Sequence, residues 1–468
     1  MSPTPSVDKK ADLNSAEDNS SIDQDEIQLV GEALLTLPRS SYVITLVFMF
    51  ITAGVLAEIC SALPLSGSIY IWAAESAGPK HARFFGFLVA WWACTAWMTF
   101  AASNSQVRDY GVSALPKTHT TANYLVSIMA IYDVNFPGGI DNSNVKWRAI
   151  IWALSEAFFI MGIAINYLPP RWYSRIFRFT IGLLMLDFLL CLIWLPIGVS
   201  KTYGFRSAKD VFTATYNGTG APPVWNWMLS FLFTAGTLTG FDASGHIAEE
   251  TKNASVVAAK GLFTGAVATG ILGFITAILF LFCTPSFDVL FALNAPQPFV
   301  QIYAQALGRG GAVFMSILAI IGLVLNTSIA VVAASRLVFA VARDGVLPGS
   351  QWIGRVTEDG QPRNAVTVMF VFGAAILCTI LPSQVAFTSL VSAGAVPTIA
   401  AYALIPLLRL TMTPNSFRST HFNLGRFRKL YYLAAFVFNT FVLAVMLSPF
   451  FFPVTSESFN FVRGEVAE

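Results

Sequence analysis

Charged residues are scarce in this chain of 468 residues. Asp, Glu, Lys and Arg together make up 12% of the sequence, whereas hydrophobic residues make up 55% of it. A water-soluble protein of this length needs a much more polar surface, so the composition predicts a polytopic membrane protein. The formal net charge is only +2, and no polar loop carries a block of basic residues, which excludes nucleic acid as a partner.

Cysteine and histidine are also rare. The five cysteines lie one to each apolar segment rather than at the spacing of a disulfide framework, so we expect them to act as small apolar side chains. The four histidines form no cluster with other metal-ligating residues, and this predicts neither a metal site nor a cofactor. Neither Gly-x-Ser-x-Gly nor His-Glu-x-x-His occurs, so the sequence argues against an enzyme.

The sequence does contain a series of apolar runs of roughly 20 residues, which is the length that a bilayer-spanning helix needs. We predict a shorter helix lying at the membrane interface over 120–132, and ten membrane spans. The spans are 41–62, 84–103, 148–168, 178–199, 225–248, 260–283, 310–342, 365–381, 386–409 and 430–453. Residues 1–40 are predicted to form a disordered polar tail, 41–453 the membrane domain, and 454–468 a second tail.

The distribution of Lys and Arg predicts the orientation of these spans, because positively charged loops favour the cytoplasmic side. Basic residues cluster in alternate loops, namely 80–83, 171–178, 252–260, 343–363 and 418–429. We therefore place these loops inside. This assignment puts the acidic tail outside, although the tail has no signal peptide. The charge pattern thus predicts that a helix before Ser41 is missing, as in a truncated or alternatively spliced product.

One predicted span, 225–248, has an unusual interior. Its sequence FTAGTLTGFDASGHIAEET, residues 233–251, places Gly236 and Gly240 near the predicted middle of the bilayer. The Gly-x-x-x-Gly pattern is typical of a close helix-packing face. The alternative is an unwound segment, whose free backbone groups and half-helix dipoles suit the charged ends of a small solute. The neighbouring Asp242 favours the alternative, because an ionisable group at such depth needs a partner or water.

The predicted solute contacts lie around this break and in a polar interruption of the span 310–342. They are Gly236, Thr237, Thr239, Gly240, Phe241, Asn326 and Thr327. Phe241 either occludes the solute or fills the core. The polar side chains of Asn326, Thr327 and Ser328 either bond to backbone carbonyls within the bundle or coordinate solute.

Acidic residues near the inner ends of two spans are candidates for a gate or a proton relay. Asp242, His246, Glu249 and Glu250 follow one another at i, i+4, i+7 and i+8, which predicts one polar helix face. Glu249 and Glu250 are either charges at the membrane boundary or part of this face; we assign Asp242 and Glu249 to the gate or relay, and Glu250 to the membrane boundary. Glu58 is either a boundary charge or a part of the inner gate.

Three stretches resemble one family. The sequence GTLTGFDASGHIAEETKNA, residues 236–254, is similar to the sixth-helix signature of fungal amino-acid, GABA and choline permeases of the amino acid-polyamine-organocation superfamily. The stretches AEICSALPLSGSIYIW, 57–72, and SRLVFAVARDGVLP, 335–348, resemble the ends of that family's second and eighth helices. The resemblance runs in consistent order from about Ser41 to Pro453.

The resemblance implies an all-α polytopic protein with a five-plus-five inverted repeat of helices, in which the first and sixth helices are broken and together hold the solute. The ten spans would correspond to helices two to eleven, so the first and twelfth helices have no counterpart here. The implied function is secondary active transport of amino acids or related small amines such as GABA, choline or polyamines. The resemblance further implies alternating access, protons as the coupling ion, and a lipid bilayer as the surroundings.

The plasma membrane is the family's common location, and the vacuolar membrane is the alternative. Because half of the implied pocket is missing, the competing function is that of a truncated, non-transporting or regulatory variant.

Overall fold

A computed structural model describes residues 40–104, 121–134, 136–137, 144–213, 220–285, 297–382, 384–419, 421–449 and 452. Within these ranges the regular structure is helical throughout. The α-helices are α1 (Ser40–Ala62), α2 (Ser68–Ala77), α3 (Ala82–Ser103), α4 (Thr121–Ile131), α5 (Val145–Ala164), α6 (Tyr173–Lys201), α7 (Ala208–Thr213), α8 (Pro223–Leu238), α9 (Ala243–His246), α10 (Ala254–Cys283), α11 (Pro298–Arg343), α12 (Ser350–Ile353), α13 (Arg363–Cys378), α14 (Gln384–Thr411) and α15 (Arg428–Met446).

Each of the ten predicted spans coincides with a long helix or, in one case, with a broken one. In the described part of the chain, eight segments are long and apolar enough to cross a membrane by length and composition. The two predicted spans that fall short are the broken helix, α8 with α9, and the 16-residue helix α13. The prediction of an all-α polytopic membrane protein is confirmed. The predicted tails, apart from Ser40, lie outside the described residues.

The helix α4 covers residues 121–131 of the stretch 120–132, whose position at the membrane interface stays a prediction. Its polar residues Thr121, Asn123 and Ser127 are buried, and the helix packs against α11. The Ser127 hydroxyl accepts a hydrogen bond of 2.9 Å from the Gln297 amide just before α11. Small polar side chains are tolerated inside a membrane bundle when a neighbouring helix supplies their partners, and the sequence of α4 alone does not show that neighbour.

Two buried polar contacts fix α1 against α15. The residue Glu58 is 4% exposed, and its carboxylate accepts hydrogen bonds from the Tyr432 hydroxyl, at 3.0 Å, and from the Leu424 amide, at 3.2 Å. At a second point between the same two helices, the side-chain amide of Asn439 donates a hydrogen bond of 2.9 Å to the Thr52 hydroxyl. Glu58 therefore joins α1 to Tyr432 of α15. Its assignment to the boundary or to the inner gate stays a prediction.

The helix α11 changes direction at Gly308, which has φ 74° and ψ 171°. This backbone conformation favours glycine, because an L-residue with a side chain rarely adopts it. The change of direction separates the first residues of α11 from the long apolar segment that follows. The predicted start of the span, residue 310, lies just after this point.

Candidate solute-binding site at a broken helix

The predicted break exists and lies between α8 and α9. The helix α8 ends at Leu238, and Thr239 is extended, with φ −71° and ψ 152°. Gly240 follows with φ +95°, a value in the left-handed region that glycine reaches without the steric cost of a Cβ atom. Helix resumes only at Ala243. Of the two interpretations of Gly-x-x-x-Gly, the unwound segment is the correct one, and Gly236 lies inside α8 rather than in the break.

The helix α14 supports this irregular backbone through Tyr402. The hydroxyl of Tyr402 accepts a hydrogen bond of 3.2 Å from the Gly240 amide and donates one to the Asp242 carboxylate. The ring of Phe241 stacks on the Tyr402 ring with a centroid separation of 4.9 Å. The hydroxyl of Thr239 turns back to the Gly236 carbonyl at 2.7 Å. Backbone groups released by the break thus find partners within the protein, as a membrane interior requires.

Asp242 begins a buried polar chain that runs from the break to α2. Its carboxylate lies 3.2 Å from His246 Nε2, and the Ser68 hydroxyl lies 2.5 Å from His246 Nδ1. The side chains of Asp242 and His246 are 2% and 0% exposed, and the Trp97 ring meets the imidazole edge-on at 5.5 Å. Gly245 permits this approach, because a Cβ atom there would lie 2.9 Å from the Cβ of Ser68.

A cavity of about 70 Å³ adjoins the break. It lies between α3, the unwound segment and α14, and it has room for a few water molecules or an ammonium group. The buried carboxylate of Asp242 forms part of its wall, together with two aromatic rings from α3. The lining residues include Trp97, Thr99, Phe100, Thr239, Gly240 and Asp242.

The other predicted solute contacts do not reach this cavity. Thr237 and Asn326 line a separate cavity of about 420 Å³. The Thr327 hydroxyl donates a hydrogen bond of 3.0 Å to the Leu323 carbonyl. Its side chain also packs closely on Gly162, because a Cβ atom added to Gly162 would lie 3.0 Å from the Thr327 methyl group. Thr327 therefore bonds within the helix bundle, which was one of its two predicted roles.

The prediction of one continuous polar helix face is wrong. The helix α9 ends after His246, Ile247 has φ −103° and ψ 13°, and a 3₁₀ turn follows over Ala248–Glu250. Because the helical repeat is interrupted, Glu249 and Glu250 do not continue the helix of Asp242 and His246, and they pair with Arg343 and Arg336 of α11. The spacing i, i+4 holds for Asp242 and His246 only.

Sequence reasoning missed three residues of the site. Tyr402 and Trp97 lie in apolar helices, where an aromatic residue usually serves as core, so no pattern distinguishes them. Ser68 lies in the stretch 57–72 that carried part of the family resemblance, but its hydroxyl has no signal of its own. Their roles depend on contacts such as that between Tyr402 and Asp242, which are separated by 160 residues.

Two ion pairs join the inner end of the broken helix to α11, and we call these four residues the inner clasp. Glu249 lies 3.2 Å from Arg343, and Glu250 lies 2.9 Å from Arg336. Arg336 is 3% exposed and also lies over the Tyr173 ring. The clasp lies at the end of the bundle that the charge pattern predicts to face the cytoplasm, so it is suited to hold that end closed.

The environment of Glu249 favours its ionised form. Partial burial raises the pKa of this carboxyl, but the hydrogen bond from the Ser66 amide, 3.0 Å long, and the Arg343 guanidinium outweigh burial and hold the pKa below its ordinary value. A carboxyl with a lowered pKa in the folded state stabilises that state above its ordinary pKa, and the stabilisation is lost as the pH falls through the lowered value.

We expect the substitution Glu249→Gln to lower stability at neutral pH by about 1 kcal/mol, the size of a partly exposed ion pair. The difference from the wild-type protein should disappear on acidification below the lowered pKa. Thermal unfolding of the purified full-length protein over a pH series measures this effect. The exposed Glu75 on α2 provides the control Glu75→Gln, and an equal loss in both variants at every pH would contradict the prediction.

Comparison with known proteins agrees with this architecture. The family model described as amino acid permease matches residues 22–464. The thiamine transporter thi9 of Schizosaccharomyces pombe is 45% identical over 447 residues, which cover 90% of this chain and 73% of that protein.

Two plant proteins are more distant relatives. The amino-acid permease BAT1 homolog of Oryza sativa subsp. japonica is 29% identical, covering 87% of this chain and 76% of its own length. The amino-acid permease BAT1 of Arabidopsis thaliana is 26% identical, and the match covers 91% of this chain and 82% of that protein. These relatives are transporters and permeases rather than enzymes. The chain, a multi-pass membrane protein with a broken helix at its candidate site, belongs to the amino acid permease family.

Proposed function

We propose that this permease carries a small organic cation across the membrane by alternating access, and that thiamine is the first solute to test. The observation that carries the proposal is the buried Asp242 carboxylate at the helix break, beside a cavity walled by Trp97 and Phe100. A carboxylate attracts a positive charge strongly where water is excluded, and aromatic faces attract cations as well.

Thiamine fits this chemistry better than the other amines of the predicted class. It is a permanent cation built from two aromatic rings, so it can use both the carboxylate and the aromatic walls. Choline has the charge without a ring, and GABA carries an additional carboxylate that Asp242 would repel. The 45% identity to a thiamine transporter supports the same choice.

Transport requires the site to open, because the cavity of about 70 Å³ is too small for a two-ring solute. The unwound segment around Gly240 provides a hinge at which α8 and α9 can move separately. On the predicted cytoplasmic side, the inner clasp would have to release when the solute leaves. This arrangement supports alternating access with the broken helix as a moving part.

The proposed coupling ion is the proton. Asp242 exchanges a proton most directly with His246, which lies 3.2 Å away, and the other imidazole nitrogen faces the Ser68 hydroxyl. Glu249, the second residue of the predicted relay, lies beyond α9 and bonds the Ser66 amide near the same end of α2. The chain Asp242, His246, Ser68 therefore supplies the first steps of a proposed route toward Glu249.

We expect cells that lack their own thiamine transporter to accumulate labelled thiamine when they produce this protein. Accumulation should require an inward proton gradient and should collapse when a protonophore is added. Unlabelled choline, GABA, polyamines and amino acids in excess should compete weakly. A fluorescent fusion in the same cells reports whether the protein reaches the plasma membrane, the proposed location, or the vacuolar membrane.

The same assay separates two competing functions. The plant relatives named as amino-acid permeases favour amino acids as solutes, and uptake of an amino acid without uptake of thiamine would establish that alternative. If the protein reaches the membrane and none of the panel enters, the non-transporting or regulatory variant is the correct description and the transport proposal fails.

A further inference from the structure

The largest cavity described above, of about 420 Å³, has no role in the function proposed so far. It lies between α6, α8, α10 and α11 and has the volume of a typical small-molecule pocket. Thr237 of α8 lines it, whereas Thr239 and Gly240 line the small cavity at the break. The two cavities therefore share the broken helix but are lined by different residues.

Among the described residues that line the large cavity, one carries a carboxylate. Asp187 lies halfway along α6, in the middle of a membrane span of 32 residues. Among the ion pairs of the described residues none involves Asp187, and its neighbours in the lining, Tyr124 and Tyr303, carry no positive charge. An ionised carboxylate at such depth is costly unless a positive charge accompanies it. Asp242 differs in this respect, because both Tyr402 and His246 contact its carboxylate.

Aromatic rings form much of the remaining wall. Phe280 lies at their centre, 4.8 Å from the Phe299 ring and 6.0 Å from the Tyr303 ring, measured between centroids. Tyr42, Tyr124 and Phe233 complete the aromatic lining. Aromatic faces attract cations, most strongly where water is excluded, so the rings and the carboxylate select the same kind of ligand.

We propose that this cavity is a second binding site for an organic cation, with the positive group at Asp187 and the apolar part against the aromatic rings. Quaternary ammonium compounds and protonated aromatic amines are the ligand class. The charge of the ligand would offset the cost of the unpaired carboxylate, and the rings would bind its apolar surface. The site is independent of Asp242, so it does not depend on the solute proposed for the break.

Equilibrium binding of benzyltrimethylammonium to the purified full-length protein tests this inference. The protein carries Asp242→Asn throughout, so that the carboxylate at the break cannot hold the probe. We expect the additional substitution Asp187→Asn to weaken binding at least about tenfold, the effect of losing one charge partner. Neopentylbenzene, the uncharged carbon isostere, should bind weakly and equally to both proteins. No transport is required, so failure of the thiamine proposal leaves this result unaffected.

Two outcomes would overturn the inference. The first is equal affinity for benzyltrimethylammonium with and without Asp187→Asn. The second is binding of neopentylbenzene as tight as that of the cation, which would mean that the cavity holds a neutral apolar molecule such as a lipid chain. Thermal unfolding shows whether each variant is folded.

A second variant keeps the test decisive if Asp187→Asn does not fold. Ala319 lines the cavity from α11, and Ala319→Phe leaves the carboxylate in place while filling the space with a ring. We expect this variant to lose binding of both probes. Unchanged binding of benzyltrimethylammonium in the folded Ala319→Phe protein would also overturn the inference.

Discussion

Replacing Asp242 by asparagine is expected to reduce uptake of a cationic solute about 100-fold. The carboxylate is buried at the helix break and lines the cavity beside Trp97 and Phe100. Removing one partner of a buried charge pair costs about 2 to 5 kcal/mol, and about 2.8 kcal/mol corresponds to a factor of 100. Asparagine has nearly the same shape and can still accept the hydrogen bond from Tyr402, so the substitution removes the charge while leaving the break in place.

The expected result is a loss of transport in a protein that folds and reaches the membrane. Uptake of labelled thiamine, normalised to the amount of protein in the membrane, measures it. The matched control is Asp133→Asn, because Asp133 is 84% exposed and pairs only with the exposed Arg309 among the described residues. If Asp242→Asn transports as well as this control, the carboxylate does not bind the solute and the assignment of the site is wrong.

The spans and the break could be predicted because each depends on a short stretch of sequence. A run of roughly 20 apolar residues specifies a membrane helix without reference to its neighbours. The break was recognisable because Gly240 and Asp242 occur together, and an ionisable residue beside a glycine is out of place in an ordinary membrane helix. Both signals lie within a few residues of the structure that they specify.

The partners of the break could not be predicted because they come from distant parts of the chain. Tyr402 lies 160 residues from Asp242 and Ser68 lies 178 residues from His246. A phenol or hydroxyl in an apolar helix has many possible partners, and only the packed bundle selects one. For the same reason the sequence did not predict that α4 is buried. The partner of its Ser127 hydroxyl is the amide of Gln297, which lies far away in the chain.

The error over the polar helix face has a different cause. The spacing of Asp242, His246, Glu249 and Glu250 predicts one face only if the helix continues, and it ends at Ile247. The helix that resumes after the break at Gly240 spans only the four residues Ala243–His246, which is too short to place Glu249 and Glu250 on the same face. Once the helix ends, the two glutamates pair with Arg343 and Arg336 in the inner clasp, which gives the broken helix separate attachments at Asp242 and at Glu249 and Glu250.

The second large effect is expected from Gly240→Ala, which should reduce uptake between about 10-fold and 100-fold. Gly240 has φ +95°, and an L-residue held in such a conformation costs roughly 1 to 3 kcal/mol. An added Cβ atom would meet only the edge of the Trp97 ring at 3.8 Å, an ordinary contact distance. The substitution therefore tests the backbone conformation of the break rather than the space around it.

A helical glycine close to the break provides the control. Gly261 lies in α10, and its added Cβ atom would meet the Cβ of Ser244 at 3.9 Å, so the two substitutions add the same methyl group at similar contact distances. Alanine favours a helix over glycine by about 1 kcal/mol, so Gly261→Ala should retain uptake and unfold at the same or a higher temperature.

If Gly240→Ala transports normally while remaining folded, the unwound conformation is not needed for transport. If uptake falls, Gly240→Leu should lower it further, because the larger side chain also fills the cavity of about 70 Å³. An ordered loss from glycine to alanine to leucine would mean that both the backbone conformation and the space at the break are used by the solute, whereas equal losses would assign the whole effect to the backbone.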